Sequence, residues 1–490
     1  MTLFVEPVPP QPKSRDDQLR WEHTRLRRRM LYGQWEWDLR RRINHELSAV
    51  RVEAWGRPDL SSNVFAAVVD QLGVLHDRPA TVSHVDMKAG ETLQGILRRA
   101  AWSPRMHRVV RDTIGLREML VRPSFVGTET SPAVELRPVF PDLVVATADP
   151  DTPSIPWTVR EARLRADPTT GEATWFFDVL DVSDPDHPVY EVQRDDGTDV
   201  TGDFLGSGQS GDLFPYRDAD DQPYLPYAMF HAALTPKLWD PYYARELVEG
   251  TLSCGINFTF FRHILRNGAH AQRWTLGVER MAAAQVDENN DGESRDDVEG
   301  DPAAVVQMSP DPDYQGQAQV GQWGPPVDPL NVFQAISAYE QRVATFSGVS
   351  ASDFIRSSGD PRSGYALAIS QNGKREAARK LEPGIRSGDL ALVSIVAKMV
   401  SRFSGVTLPE DGYEVAYSAL PPTPDEQQQA QTNVLQLLQS GLISRVDAFR
   451  QLTGCTEDQA RERLKQIDAE RANPALALTD DDEGPEDGDG

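Results

Sequence analysis

The 490-residue chain has only two cysteines, Cys254 and Cys455. They lie too far apart in sequence to suggest a disulfide framework or a zinc ligand set, so two reduced, partly buried thiols are expected. Long hydrophobic runs are also missing. The longest near-apolar stretch, 390–400, contains Lys398 and falls far short of the roughly 20 residues that span a bilayer. The first residues, MTLFVEPVPPQPKSRDDQ, lack a basic segment followed by an apolar core; they do not read as a signal peptide, and the cytoplasm is the expected place of assembly. Basic residues are in deficit, 50 Lys and Arg against 75 Asp and Glu, for a net charge of −25. Tight duplex binding needs cations that displace counterions, which argues against an ordinary DNA-binding module.

Recognisable catalytic and ligand motifs are equally scarce. The chain has no phosphate loop ending in Gly-Lys-Ser/Thr, no H-E-x-x-H, no G-x-S-x-G and no paired Cys ligands, which removes the hydrolases and ATPases that a sequence alone reveals. A G-x-G-x-x-G occurs at Gly206, Gly208 and Gly211, but an Asp-rich loop follows it where a dinucleotide site needs a helix N-terminus. Asp287, Asn289 and Asp291 occupy calcium-loop positions 1, 3 and 5, with Gly292 at the turn, yet Val298 stands where the bidentate Glu belongs. A solvated acidic insertion is the expected reading, and neither metal nor cofactor is expected. The nine histidines are scattered and read as surface or core residues. No nucleophile-and-base pair has a recognisable spacing, so a non-enzymatic protein is expected.

The acidity is concentrated. Residues 142–221, 285–328 and 479–490 together carry −31, which leaves +6 on the rest. The molecule thus reads as a nearly neutral frame with acidic, solvated insertions. The densest basic stretch is N-terminal, at Arg25, Arg27, Arg28, Arg29, Arg40, Arg41 and Arg42.

The length allows roughly three domains. Apolar residues at helical spacing predict a helical stretch over 14–55 with arginines on its wet face, a helix over 63–78 capped by Asn63, and one or two more in 91–121. From Pro123 to Pro226, alternating runs broken by Pro, Asp and Gly predict antiparallel sheet, followed by a loop at 203–221. A helix over 241–267 precedes strand fragments QRWTLG, AAVVQM and AQVGQWG in 268–328. A second helix opens at Pro329 behind the cap residue Asp328. After a Ser/Gly-rich loop, a long helix is expected over 363–403, interrupted and bent at Pro383-Gly384, and then a strand from Tyr413. Capping boxes at Thr423, Ser444 and Thr456, with Gly441 and Gly454 as C-caps, predict a three-helix unit before a disordered acidic tail.

This order of elements resembles a tailed-bacteriophage portal protein. YGQWEWDLRRRIN through SSNVFAAVVDQLGVLHDRPATV is similar to the family's N-terminal wing. LPYAMFHAA followed by DPYYARELVEGTLSCGINFTFFRHILRNGAHAQRW resembles the wing strand and first stem helix. NVFQAISAYEQRVATFSGVSASDF and SGYALAIS are similar to the second stem helix and the start of the helix after the tunnel loop, and LLQSGLISRVDAFRQLTGCTEDQARERLKQI to the crown.

The resemblance implies an α+β fold with wing 1–240, stem helices 241–267 and 329–349, clip 268–328, tunnel loop 350–362, long helix and returning strand 363–420, crown 421–472 and tail 473–490. It also implies a homo-oligomeric ring, typically of twelve subunits, at one capsid vertex of the virion. Double-stranded DNA would pass through the ring during packaging and ejection. The partners would be the terminase large subunit, head completion or adaptor proteins, and the capsid and scaffold proteins. Ser350, Ser352, Asp353, Arg356, Ser357, Ser358 and Arg362 would belong to the tunnel loop, with Arg262, Arg266 and Arg342 on the stem. Net negative walls would keep the duplex centred. A head-maturation protease or nuclease, and a capsid or adaptor subunit without a channel, remain the alternatives.

Overall fold

A computed structural model of the chain describes residues 9–46, 57–205, 214–240, 245–269, 317, 328–349, 364–417, 424–453 and 457–471, with strand segments 272–276, 278–280, 308–310 and 319–323. Along some of these, including 266–269 and 364–374, the backbone alone is described. The architecture is mixed α and β, with several small antiparallel sheets. There are two compact units: residues 1–356 with 373–418, and residues 357–372 with 419–490.

The first unit opens with α1 (Arg15–Leu31) and α2 (Glu36–Glu46). Acids in the first turn of α1 and arginines in its last suit the helix dipole. The two helices are separate because Gly33 takes a left-handed turn at φ +72° between them. The arginines of α1 do not all face water as expected. Arg20 and Arg27 are buried, and Arg20 donates to the carbonyls of Pro141 and Val144 at 2.8 and 2.7 Å. A guanidinium can be buried there because its fork of donors meets backbone carbonyls and the Asp17 carboxylate.

Helix α3 (Val64–Leu72) has Asn63 as its cap, with the side chain accepting the Ala66 N–H at 3.1 Å. It stops at Gly73, short of the expected residue 78. Helices α4 (Met87–Arg99) and α5 (Trp102–Leu116) follow a short strand, β1 (Thr81–His84). The sheet then begins at Glu118, not Pro123, with β2 (Glu118–Phe125). The first six residues of β2 are all buried, so the alternation that marks a half-exposed strand is absent from its sequence.

Strand β2 is the centre of a three-stranded sheet between β3 (Val134–Val139) and β8 (Ala228–His231). A four-stranded meander is formed by β4 (Val144–Ala148), β5 (Pro156–Ala166), β6 (Ala173–Asp181) and β7 (Val189–Gln193). A short helix, α6 (Thr201–Leu205), occupies the start of the segment expected to be loop. Leu120, Val139, Val144, Val159 and Leu180 form the core shared by these two sheets.

The acids of 142–221 are not all solvated. Asp142, Glu161 and Asp178 are at most 1% exposed. Glu161 and Asp178 sit directly opposite each other on β5 and β6, a repulsive pairing unless it is compensated. Arg122 of β2 supplies the compensation, reaching both carboxylates at 3.0 Å, while Arg137, Arg163 and Arg165 close the cluster from its rim. Burial pushes the Asp178 carboxyl up, but Arg122, Arg165 and Arg163 outweigh it and hold the group below the usual carboxylate range.

The helix expected to break at Pro383-Gly384 is continuous: α9 runs from Gly364 to Phe403. Leu381, Ile385, Leu392, Val393, Val396 and Val400 put its apolar stripe into the main core. The Pro-Gly pair marks a close crossing instead. A Cβ on Gly384 would lie 2.3 Å from the His231 carbonyl oxygen, and one on Gly388 would lie 2.4 Å from the Phe230 ring. Asp389, on the same stripe, takes the Nε2 of buried His76 at 2.8 Å and the Tyr417 hydroxyl at 2.6 Å. Strand β13 (Tyr413–Ala416) then pairs antiparallel with β1, a pairing of distant segments that the sequence pattern does not show.

From β8 the chain reaches α7 (Arg245–Ala269), and α8 (Pro329–Phe346) runs back along it. Between them, β9 (Gln272–Leu276) pairs with β12 (Gln319–Trp323), and β10 (Val278–Arg280) with β11 (Met308–Pro310). The second unit contains α10 (Pro424–Gln439), α11 (Arg445–Thr453) and α12 (Glu457–Arg471). Its capping box at Ser444 is reciprocal with Asp447, and Gly441 adopts φ +73°. Thr423, Gly454, Thr456 and the tail 473–490 lie outside the described residues.

Two stability outcomes follow. Gly384→Ala places a methyl group against a fixed carbonyl and is expected to lower unfolding stability by about 1–3 kcal/mol in chemical denaturation. Arg122→Met removes the buried guanidinium that reaches both carboxylates and leaves them only their rim arginines, and is expected to cost about 3 kcal/mol near neutral pH. Because the Asp178 pKa is depressed by folding, its contribution is present above the unfolded Asp value and lost as pH falls through the folded one. The deficit of Arg122→Met should therefore shrink in denaturation curves taken at increasingly acid pH.

Candidate functional site

The feature that the sequence singles out is the helical hairpin of α7 and α8. At 1.5 Å per residue these helices are about 37 and 27 Å long. Pro329 occupies the first turn of α8, and Asp328 caps it by accepting the Leu330 N–H at 2.9 Å. The pairing is antiparallel: Gly250 of α7 lies against Val343, while Phe258 and Phe261 meet the Phe333 ring. A Cβ on Gly250 would fall 2.8 Å from the Val343 methyl groups, so glycine sets the spacing of the two helices there. On another face of α7, Gly255 admits Leu39 of α2 and Trp35, which precedes that helix, in the same way.

Cys254 is fully buried in this packing, with Val64, Val68, Val343 and Ala344. Burial, reinforced by the Glu340 carboxylate, pushes its thiol up to about 12. Glu340 is itself raised by burial, while the Ser62 hydroxyl, which it accepts, opposes the shift. A groove of about 1080 Å3 opens beside the hairpin, where α3, α7, α8 and residues 376–381 of α9 meet. Its apolar lining includes Phe65, Val68, Leu72 and Leu247, with the 78% exposed Phe346 at its edge.

The predicted stem residues are not brought together. Arg342 is exposed near Gly250, its guanidinium 5.6 Å above the Phe346 ring. Arg262 is exposed toward the opposite end of the hairpin, about 18 Å along the axis from Gly250. Arg266 lies in the last turn of α7, and only its backbone is described. Ser350, Ser352, Asp353, Arg356, Ser357, Ser358 and Arg362 lie outside the described residues, as do Asp287, Asn289, Asp291 and the glycines at 206, 208 and 211.

The expected negative walls are not a property of these helices. Together α7 and α8 hold Arg245, Arg262, Arg266 and Arg342 against Glu246, Glu249 and Glu340. Glu340 is half-buried, so Arg342 is the one charged residue on the exposed face of α8. The acidity of the chain is segregated elsewhere, in segments outside the hairpin.

Among the described residues, no group of three His, Cys, Asp or Glu side chains could hold a metal, and no helix is long and apolar enough to cross a membrane. The buried His76–Asp389 pair escapes sequence reading because its members are 313 residues apart. The one visible signal is an acid on the apolar stripe of α9.

No protein-family model and no curated protein matches the chain. Among solved structures, it is similar to a chain from "Neck of native GTA particle computed with C12 symmetry", at 12% identity and TM-score 0.41, covering 80% of this chain and 89% of that one. It is also similar to a chain from "Virion of native gene transfer agent (GTA) particle", at 12% identity and TM-score 0.42, covering 81% and 91%.

Burial of Cys254 has a direct consequence. In a Cys455→Ser background, the native protein should resist maleimide at pH 8 and label at one thiol per chain only after denaturation, as read by intact mass.

Proposed function

We propose that the chain is the subunit of a portal, a ring-shaped DNA channel at a capsid vertex, and that it has no catalytic role. The observation that carries this reading is the α7–α8 hairpin. Two long helices, each opened or spaced by a specific residue, are joined through a small antiparallel β-module, in the order that the sequence resemblance assigns to stem, clip and stem. In a ring of about twelve copies, α7 and α8 of successive subunits would enclose the duplex.

The charge distribution suits passage rather than binding. A helix face with a single arginine offers few phosphate contacts, so few counterions are released and affinity stays low. The strand pairs between the helices would form the surface that meets the terminase large subunit during packaging and head completion or adaptor proteins afterward. Capsid and scaffold proteins would contact the outer surface. The tunnel-loop residues from Ser350 to Arg362 would face DNA at the inner end of the stem.

Assembly tests the proposal. Native mass spectrometry and negative-stain images of the purified chain should show closed rings with a central channel. Monomers alone at micromolar concentration would overturn the portal reading, and metal-dependent cleavage of DNA or peptide by the purified chain would favour the enzyme alternative.

A further inference from the structure

Two exposed corners of the first unit differ in charge. The first is the turn from α1 into α2. Trp37 is 60% exposed there, with the Arg29 and Arg41 guanidinium groups 6.0 and 5.5 Å from its ring. Arg40 lies on the same face of α2, three residues on. Tyr32, also exposed, has Arg108 and Arg111 each 5.8 Å from its ring. Carboxylates are present, but Glu36, Asp38 and Asp112 are more covered than the arginines they meet. Asp70, beside Arg111, is the exposed exception. Guanidinium groups therefore dominate the charged surface around the two rings.

The second corner is one end of the meander. The turn from β4 to β5 and the turn from β6 to β7 lie side by side there, with the Val182 N–H donating to the Trp157 carbonyl at 3.0 Å. Residues 149–155 and 181–188 hold five aspartates and no Lys or Arg. Asp151, Asp184 and Asp186 are exposed, and so are the aliphatic side chains of Ile155 and Val189 beside them. One corner is thus basic around aromatic rings and the other acidic around aliphatic groups, a match in both charge and apolar character.

Helix α1 keeps the two corners apart. Asp142 lies beside Arg25 and Arg28, and the Val144 carbonyl accepts from Arg20 and Trp21. The chain therefore enters β4 travelling toward the N-terminal end of α1. Tyr32 is at the other end, about 18 Å along the axis from Arg20. Complementary surfaces at different ends of one chain are what a head-to-tail contact between identical copies requires, and such contacts close into rings.

We propose that the corner around Trp37 and Tyr32 is the seat for the acidic turns of a second copy of this chain. The inference rests on the ring reading and names a joint between successive subunits: the two rings cover Ile155 and Val189, and the arginines around them meet Asp151, Asp184 and Asp186. Nucleic acid fits the corner less well, because Arg29, Arg40, Arg57 and Arg111 already pair with carboxylates and would release few counterions from phosphates.

Charge reversal tests the joint in the full chain, with ring formation followed by native mass spectrometry over a range of protein concentrations at low salt. One variant carries Arg40→Glu and Arg41→Glu; the other carries Asp151→Arg, Asp184→Arg and Asp186→Arg. Each alone should need roughly tenfold more protein than the unaltered chain for half-assembly. An equimolar mixture should assemble near the unaltered concentration, because in an alternating ring each reversed corner meets a reversed one and each unaltered corner an unaltered one. Rings that neither variant weakens overturn the joint and leave the portal reading standing; monomers alone in the unaltered chain overturn both. A loss that mixing does not restore assigns the basic corner to another ligand, nucleic acid included, and overturns the joint. If circular dichroism shows that a reversed variant does not fold, Trp37→Ser decides: it should raise the half-assembly concentration, and an unchanged value overturns the joint.

Discussion

The first unit depends on how closely α9 crosses β8. At Gly384 the helix lies so near the His231 carbonyl that no side chain fits between them, and one turn later Gly388 receives the Phe230 ring. That approach brings the stripe from Leu381 to Val400 into the same core as α2, α3, α4 and α5. It also places Asp389 on His76 and Tyr417, so that residues from the turn after α3, from α9 and from the end of β13 meet at one buried carboxylate. An unpaired acid at that depth would be strongly disfavoured. The hydrogen bonds thus oppose any alternative seating of the helix as much as they stabilise this one.

A second constraint is the disposal of charge. A chain with net charge −25 is expected to keep its acids in water, and many turns of the meander do so, through Asp side chains that accept local backbone N–H groups. Asp142, Glu161 and Asp178 are different, because each is buried among arginines drawn from other elements. The basic N-terminal helix is accordingly a structural counterpart of the acidic β-region: Arg25 and Arg28 both reach Asp142, and Arg20 closes the backbone of the turn beside it. Arg–aromatic contacts along α1, such as Arg20 over Trp239 at 3.7 Å, belong to the same packing. An interleaving of Arg and Trp that could have read as nucleic-acid binding is largely consumed internally.

The hairpin combines the two constraints. Glycines at 250 and 255 let α7 sit close to α8 on one face and to α2 on another, which fixes a long pair of helices to the globular part of the unit. Little charge remains on the outer face of α8, so a duplex beside it would meet few groups able to grip a phosphate. The acidic composition does not conflict with the proposed DNA-conducting role, because the acids lie in other segments and the helices are nearly neutral.

Local chemistry was legible in the sequence wherever one segment decides the outcome. Asn63, Asp328 with Pro329, and Ser444 with Asp447 each cap the helix that their position predicts, because a cap satisfies backbone donors within a few residues. The strands of the meander and the hairpin order of helix, strands and helix follow equally from periodicity and turn residues. Contacts between distant segments were not legible. Periodicity cannot show that β1 pairs with β13, that the Pro383-Gly384 pair permits a crossing and does not end a helix, or that arginines of α1 are buried. Each of these depends on a partner 88 or more residues away. The tertiary structure decided them because only the folded chain brings a carbonyl, a carboxylate or an aromatic ring to the place where a glycine or a guanidinium is needed.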